Sequence, residues 1–114
     1  MIAVISEVWP QFDRKGDYDA LATAVRPRLE SMDSFLATER FESCSKPGEF
    51  LSLSLWRDEA ALAAWRNLDE HRAIMRERRD GILRDYHIRA CQVPWGYSLT
   101  DRADALADSR AVFG

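Results

Sequence analysis

The stretch from Leu51 to Met75, "LSLSLWRDEAALAAWRNLDEHRAIM", changes its hydrophobic period halfway, and that change constrains the fold more than any other feature of the chain. Leu51, Leu53 and Leu55 alternate with Ser52, Ser54 and Trp56, the period-two pattern of a strand. After Arg57 the apolar residues fall into helical spacing, with Asp58 placed to cap the helix that begins there. The same two periods organise the rest of the chain. "IAVISEVW" (2–9) is rich in β-branched and aromatic residues and is stopped by Pro10, so it reads as a strand. Asp17 is placed to cap a helix in which Leu21, Ala24, Val25, Leu29 and Met32 recur. Pro27, inside that pattern, predicts a kink or an irregular turn, because its ring displaces a backbone hydrogen bond.

"FLATERFESC" (35–44) reads as a second strand, and "KPGE" (46–49) turns it into a third, 50–57; so short a connection implies an antiparallel hairpin. The helical pattern then covers 58–81, with a break expected near "NLDE" (67–70), where Asp69 could cap a second segment. "YHIRACQV" (86–93) is the fourth strand, closed by Pro94. The order β-α-β-β-α-β predicts an α+β, ferredoxin-like fold with both helices on one face of an antiparallel sheet. Residues 1–97 form the domain, and 98–114 are a tail that is either mobile or laid over a partner.

Composition narrows the function classes. A chain of 114 residues supports one core, and a net charge of -3 argues against nucleic acid as the main partner. No window approaches the roughly 18 apolar residues of a membrane span. The opening "MIAVISEVWP" lacks a basic segment and meets Glu7 too early for a secretion signal. Cys44 and Cys91 are too few and too far apart for a metal motif, and read as reduced thiols of a cytoplasmic protein.

The strands carry a further expectation. Ile2, Val4 and Val8 share one face of the first strand; Ala3, Ile5, Glu7 and Trp9 share the other. In the third, three leucines oppose Phe50, Ser52, Ser54 and Trp56, and in the fourth, Ile88 and Ala90 oppose His87, Arg89, Cys91 and Val93. Grouping the leucines with the core leaves a second face of aromatics, hydroxyls and a few charges, neither buried by helices nor suited to water. A second copy of the chain is the economical cover, giving a homodimer whose facing sheets enclose a semi-polar cavity for a small hydrophobic or aromatic ligand.

Trp65 either fills the core or closes one end of such a cavity with its indole N–H free to donate. His71 lies about 240° around the helix from Trp65 at 100° per residue, so the two share a face only if the helix breaks between them. Near a helix start a histidine is more often a capping or surface residue; the alternative is a ligand-contacting role. His87 beside Arg89 could bind an anionic or enolic oxygen; alternatively Arg89 pairs with Glu7 or Glu39 across the sheet. "RAIMRERRDGILRD" (72–85) mixes the two signs of charge and reads as a solvated helix face. No phosphate loop, GxSxG or CxxC motif is present, and neither histidine has partners at metal-ligand spacing.

The element order, "LSLSLWRDEAALAAW" leading to "NLDEHRA", and "DYHIRACQV" together resemble the antibiotic biosynthesis monooxygenase domain family over roughly residues 2–97. The most specific element is the W-x5-H spacing from Trp65 to His71, preceded by Trp56. The resemblance implies a dimeric α+β barrel. It also implies either a cofactor-independent oxygenase of a small aromatic or quinol-like substrate, or a haem-degrading monooxygenase. In the first branch an asparagine commonly stands one helical turn before the tryptophan, where this chain has Ala61. In the second a histidine binds iron nine or ten residues after it, where Ile74 and Met75 stand, and an asparagine lies near Glu7. No cofactor is therefore expected, and haem is the disfavoured possibility. The reading favours an enzyme, with Trp65, His71 and His87 as catalytic candidates. Glu7, Trp9, Phe50, Ser52, Ser54, Trp56 and Arg89 are the substrate-binding candidates. A non-catalytic dimer that binds a small molecule is the alternative.

Overall fold

A computed structural model describes residues 1–33 and 35–114. Its elements are β1 (Ile2–Pro10), α1 (Lys15–Glu30), β2 (Phe35–Glu42), β3 (Phe50–Trp56), α2 (Glu59–Arg66), α3 (Asp69–Glu77), β4 (Leu83–Gln92) and α4 (Ala107–Phe113). The four strands form one sheet in the order β2-β3-β1-β4, every neighbouring pair antiparallel. This is the ferredoxin-like arrangement that the period pattern implied.

Local chemistry sets the boundaries. Asp58 caps α2, its Oδ1 accepting from the Ala61 N–H at 2.8 Å. Asp17, expected as a cap, lies instead in the first turn of α1, where it pairs with Arg14 and sits favourably at the positive end of the helix dipole. Pro27 is carried within the last turns of α1, which runs on to Glu30. The expected second break is present: α2 stops at Arg66 and α3 starts at Asp69, with Leu68 rather than Asp69 in the extended cap conformation. After α3 a single wide turn, Arg78–Ile82, reverses the chain into β4, and Gly81 makes it possible with φ of 126°, which a side chain would strain. β4 therefore begins at Leu83, three residues before the expected Tyr86.

Two apolar clusters pack the helices onto the sheet. One joins Ile2 and Trp56 to Leu29, Ala61, Leu62 and Trp65; the other joins Val8 and Phe50 to Tyr18, Ile82 and Leu83. The register identifies the sheet face they cover. Ile2 stands opposite Trp56, Val4 opposite Ser54, Ser6 opposite Ser52 and Val8 opposite Phe50. Phe50, Ser52, Ser54 and Trp56 thus share the helix-covered face with Ile2, Val4 and Val8.

This corrects the expected grouping. The division within β1 and β4 stands, but β3 is turned over: its leucines lie on the uncovered face with Ala3, Ile5 and Glu7. Alternation fixes which residues of one strand share a face, whereas only the pairing register fixes which faces of two strands coincide. The uncovered face is consequently more apolar than anticipated, with Leu51, Leu53, Leu55 and Ile5 at its centre and Phe41 45% exposed near its edge.

Beyond β4 the chain continues through stacked Trp95 and Tyr97 rings 5.7 Å apart to the short α4, whose Val112 and Phe113 are exposed. Cys44 and Cys91 are free and exposed. Among the described residues no helix is long and apolar enough to cross a membrane.

Candidate active site

A cavity of about 850 Å³ lies between the covered sheet face and the helices. Its floor is partly hydroxylic because the register aligns Ser6 with Ser52 and Ser54 with Thr38. Its walls are apolar, with Val4, Val25, Leu29, Trp56, Trp65 and Met75 among them. The cavity is thus intrachain, on the opposite side of the sheet from where facing sheets would have enclosed one.

The break between α2 and α3 assembles the central feature. Trp65 is 8% exposed and stacks on Trp56 with ring centroids 6.1 Å apart. α3 then leaves at a new angle, and His71 returns to lie 4.9 Å from the Trp65 ring, tilted by 47°. The Trp56 indole donates to Ser54 Oγ at 3.0 Å. The Trp65 indole has no such partner among the described residues, so it remains free to donate to a guest.

His71 Nδ1 lies 3.4 Å from the Arg66 carbonyl oxygen. A carbonyl only accepts, so this contact favours the tautomer with the proton on Nδ1 and leaves Nε2 as the basic nitrogen. Burial holds the His71 pKa below its ordinary 6.5; the Arg66 carbonyl opposes that shift and the positive Arg78 adds to it. Burial thus favours the neutral imidazole.

Arg78, in the turn after α3, also reaches the cavity. Its guanidinium lies over the Tyr18 ring at 5.5 Å, and Arg40 lies over the same ring at 5.4 Å. Arg78 Nε is shut off from solvent with no hydrogen-bond partner, and burial lowers the Arg78 pKa from its ordinary value. The segment read as a solvated helix face thus sends Arg72, Arg76, Arg78 and Arg79 to the cavity perimeter. Charge alternation along the chain conceals this, because the acidic neighbours Glu77 and Asp80 do not line the cavity.

Of the ten expected site residues, Trp65, His71, Ser52, Ser54 and Trp56 line this cavity. Phe50 is buried in the second apolar cluster, its ring tilted against that of Tyr18 with centroids 5.5 Å apart. Glu7, Trp9, His87 and Arg89 lie on the other face: Glu7 stands opposite His87, Trp9 opposite Asp85, and Arg89 forms an ion pair with Glu7. They are separated from Trp65 by the sheet itself. Tyr18, Arg40 and Arg78 were missed. A usable signal was the placing of the two bulkiest side chains of β3, Phe50 and Trp56, on its serine side, since large aromatics mark the buried face.

Comparison with known proteins identifies the lineage. A family model described as antibiotic biosynthesis monooxygenase matches residues 1–77. The chain belongs to the antibiotic biosynthesis monooxygenase family. Within that family, the jasmonate monooxygenase ABM of Pyricularia oryzae is 44% identical over 93 residues, covering 82% of this chain and 43% of that protein. The chain therefore spans less than half the length of this curated relative. Solved structures share the fold. A Deinococcus radiodurans protein assigned to antibiotic biosynthesis monooxygenases superposes with a TM-score of 0.79 at 16% identity, covering 87% of this chain and 98% of that one. A Mycobacterium tuberculosis protein superposes with a TM-score of 0.77 at 20% identity, covering 85% and 98%. At these identities the likeness speaks for the fold alone.

The donor set is sparse for a metal: among the described residues no group of three or more His, Cys, Asp or Glu side chains comes together. The positions where the resemblance would place an iron-binding histidine hold Ile74 and Met75, both on the cavity wall. The histidine position that the resemblance gives for iron is therefore apolar in this chain.

Proposed function

We propose that this chain is a cofactor-independent oxygenase acting on a small, mostly apolar, enolisable substrate held between the sheet and the helices. The observation that carries this reading is the His71 imidazole packed on Trp65 at the cavity wall, its Nδ1 facing the Arg66 carbonyl so that Nε2 is left as the base. Membership of a monooxygenase family supplies the reaction class, and a relative that acts on jasmonate supports a compact carbonyl compound as substrate.

In this account His71 removes a proton from a carbon next to a carbonyl or phenol, leaving an electron-rich carbanion. Reaction with O₂ gives a hydroperoxide at that carbon; loss of water leaves a new carbonyl, so R₂CH₂ and O₂ become R₂C=O and H₂O. The substrate supplies all four electrons. Trp65 packs the substrate and donates to its oxygen, while the apolar walls exclude water from the anion. His87 is not assigned the proton, because it lies across the sheet.

The uncovered leucine face supports a homodimer in which each protomer keeps its own cavity. Oxygen-electrode measurements with anthrone and with jasmonate, no cofactor added, test the reading. Uptake that is abolished in His71→Gln supports it. A protein that retains either compound yet never consumes oxygen is a binding protein, an outcome that the apolar Ala61 on α2 would then explain.

A further inference from the structure

The charge around the cavity is one-sided. Seven arginines reach its lining: Arg26, Arg40 and Arg66, and from the segment after the helix break Arg72, Arg76, Arg78 and Arg79. The single acid on its perimeter, Glu39, stands opposite Leu53 and so belongs to the uncovered face of the sheet. Arg40 is neutralised by Asp19 at 2.9 Å, Arg26 by Glu30 at 2.7 Å, and Arg66 reaches Glu59 at 3.6 Å. Arg72, Arg76, Arg78 and Arg79 form no ion pair among the described residues, and of these Arg78 alone has a side-chain nitrogen shut off from solvent without a partner. It shares the Tyr18 ring with a second guanidinium, and its Nε is buried without an acceptor.

A half-buried cation beside another cation, with an aromatic face as its compensation and one nitrogen cut off from water, is an arrangement that an anion completes. Arginine is also the side chain whose donors match a carboxylate in two-point fashion. We propose that Arg78 is the anchor for the carboxylate of the substrate, so that the cavity takes small apolar organic acids rather than neutral compounds of the same shape. This rests on the reading of the cavity as the substrate site, but it does not depend on oxygen chemistry. The apolar body of the acid would lie along Trp56, Trp65 and Met75, with its carboxylate at the Tyr18 end.

Calorimetric titration with naphthylacetate and with the isosteric neutral naphthylacetamide separates the possibilities. The wild-type protein should bind the acid at least about tenfold more tightly, the contribution of one charge-assisted hydrogen-bonded contact, and the margin should shrink with added salt. Arg78→Met should remove the preference while leaving the amide within about twofold, Arg78→Lys should keep part of it, and Arg79→Gln should keep it. Equal binding of acid and amide by the wild type overturns the proposal, as does a preference that survives in Arg78→Met. If Arg78→Met does not fold, the wild-type pair of ligands still decides. A clear acid preference without oxygen uptake would uphold the anchor while refuting the oxygenase; failure of both ligands to bind would refute the cavity reading and the anchor together.

Discussion

The Trp65 and His71 rings meet at a centroid separation of 4.9 Å although they belong to different helices. On one uninterrupted helix residues six apart point in different directions. The contact exists because α2 ends at Arg66 and α3 restarts at Asp69. Asn67 reinforces the junction: its Nδ2 donates to the Ala63 carbonyl at 2.8 Å while its Oδ1 accepts from Arg72 at 2.5 Å. Replacing Asn67 by Leu should therefore loosen the Trp65–His71 contact. Turnover should fall several-fold, with a smaller change in thermal stability, which steady-state kinetics and a melting curve on the same preparation would reveal.

His71 gives the pH dependence. Its pKa lies below 6.5 in the folded protein, chiefly through burial, so the folded state binds the proton less readily than the unfolded chain. Stability should accordingly fall as pH drops below about 6.5, and His71→Gln should flatten that part of the curve. Denaturant midpoints at several pH values check this. Activity should follow the neutral imidazole, constant above neutrality and declining on the acid side.

Trp65→Phe preserves an aromatic ring but removes the indole donor. Loss of one hydrogen bond to a developing anion corresponds to roughly ten- to hundredfold in rate, so kcat should fall by about that factor while the fold persists. Trp56→Ala is different in kind. Its side chain is 1% exposed at the centre of the larger apolar cluster, and truncation should cost about 3–5 kcal/mol of stability in equilibrium unfolding.

Leu53 lies at the middle of the uncovered sheet face, opposite Ile5 on one side and Glu39 on the other. A charge there should disrupt sheet-to-sheet association without entering the core. Sedimentation should find the wild type dimeric at micromolar concentration and Leu53→Lys monomeric. A wild type that sediments as a monomer would remove the homodimer.

The element order was legible because each segment declares its period over several residues, and the helix break was foreshadowed by "NLDE" with its cluster of polar residues. The cavity was less so. Strand β3 presents three leucines and two serines, and composition alone assigns the leucines to the core. The register reverses that, because this sheet has two demanding faces: one floors a cavity and needs hydroxyls, while the other is apolar and lies open. Arg78 was hidden for a related reason. It sits in a run of mixed charges, yet it continues the helical stripe of His71, Ile74 and Met75 on the cavity side and so lies over Tyr18, sixty residues earlier in the chain.

The central claim is that the guest sits on the helix-covered face of the sheet. A crystal structure of the protein soaked with naphthylacetate tests it most directly. Density for the ring against Trp65 and His71, with the carboxylate at Arg78, is the result expected; density across the sheet, beside His87 and Arg89, would contradict it.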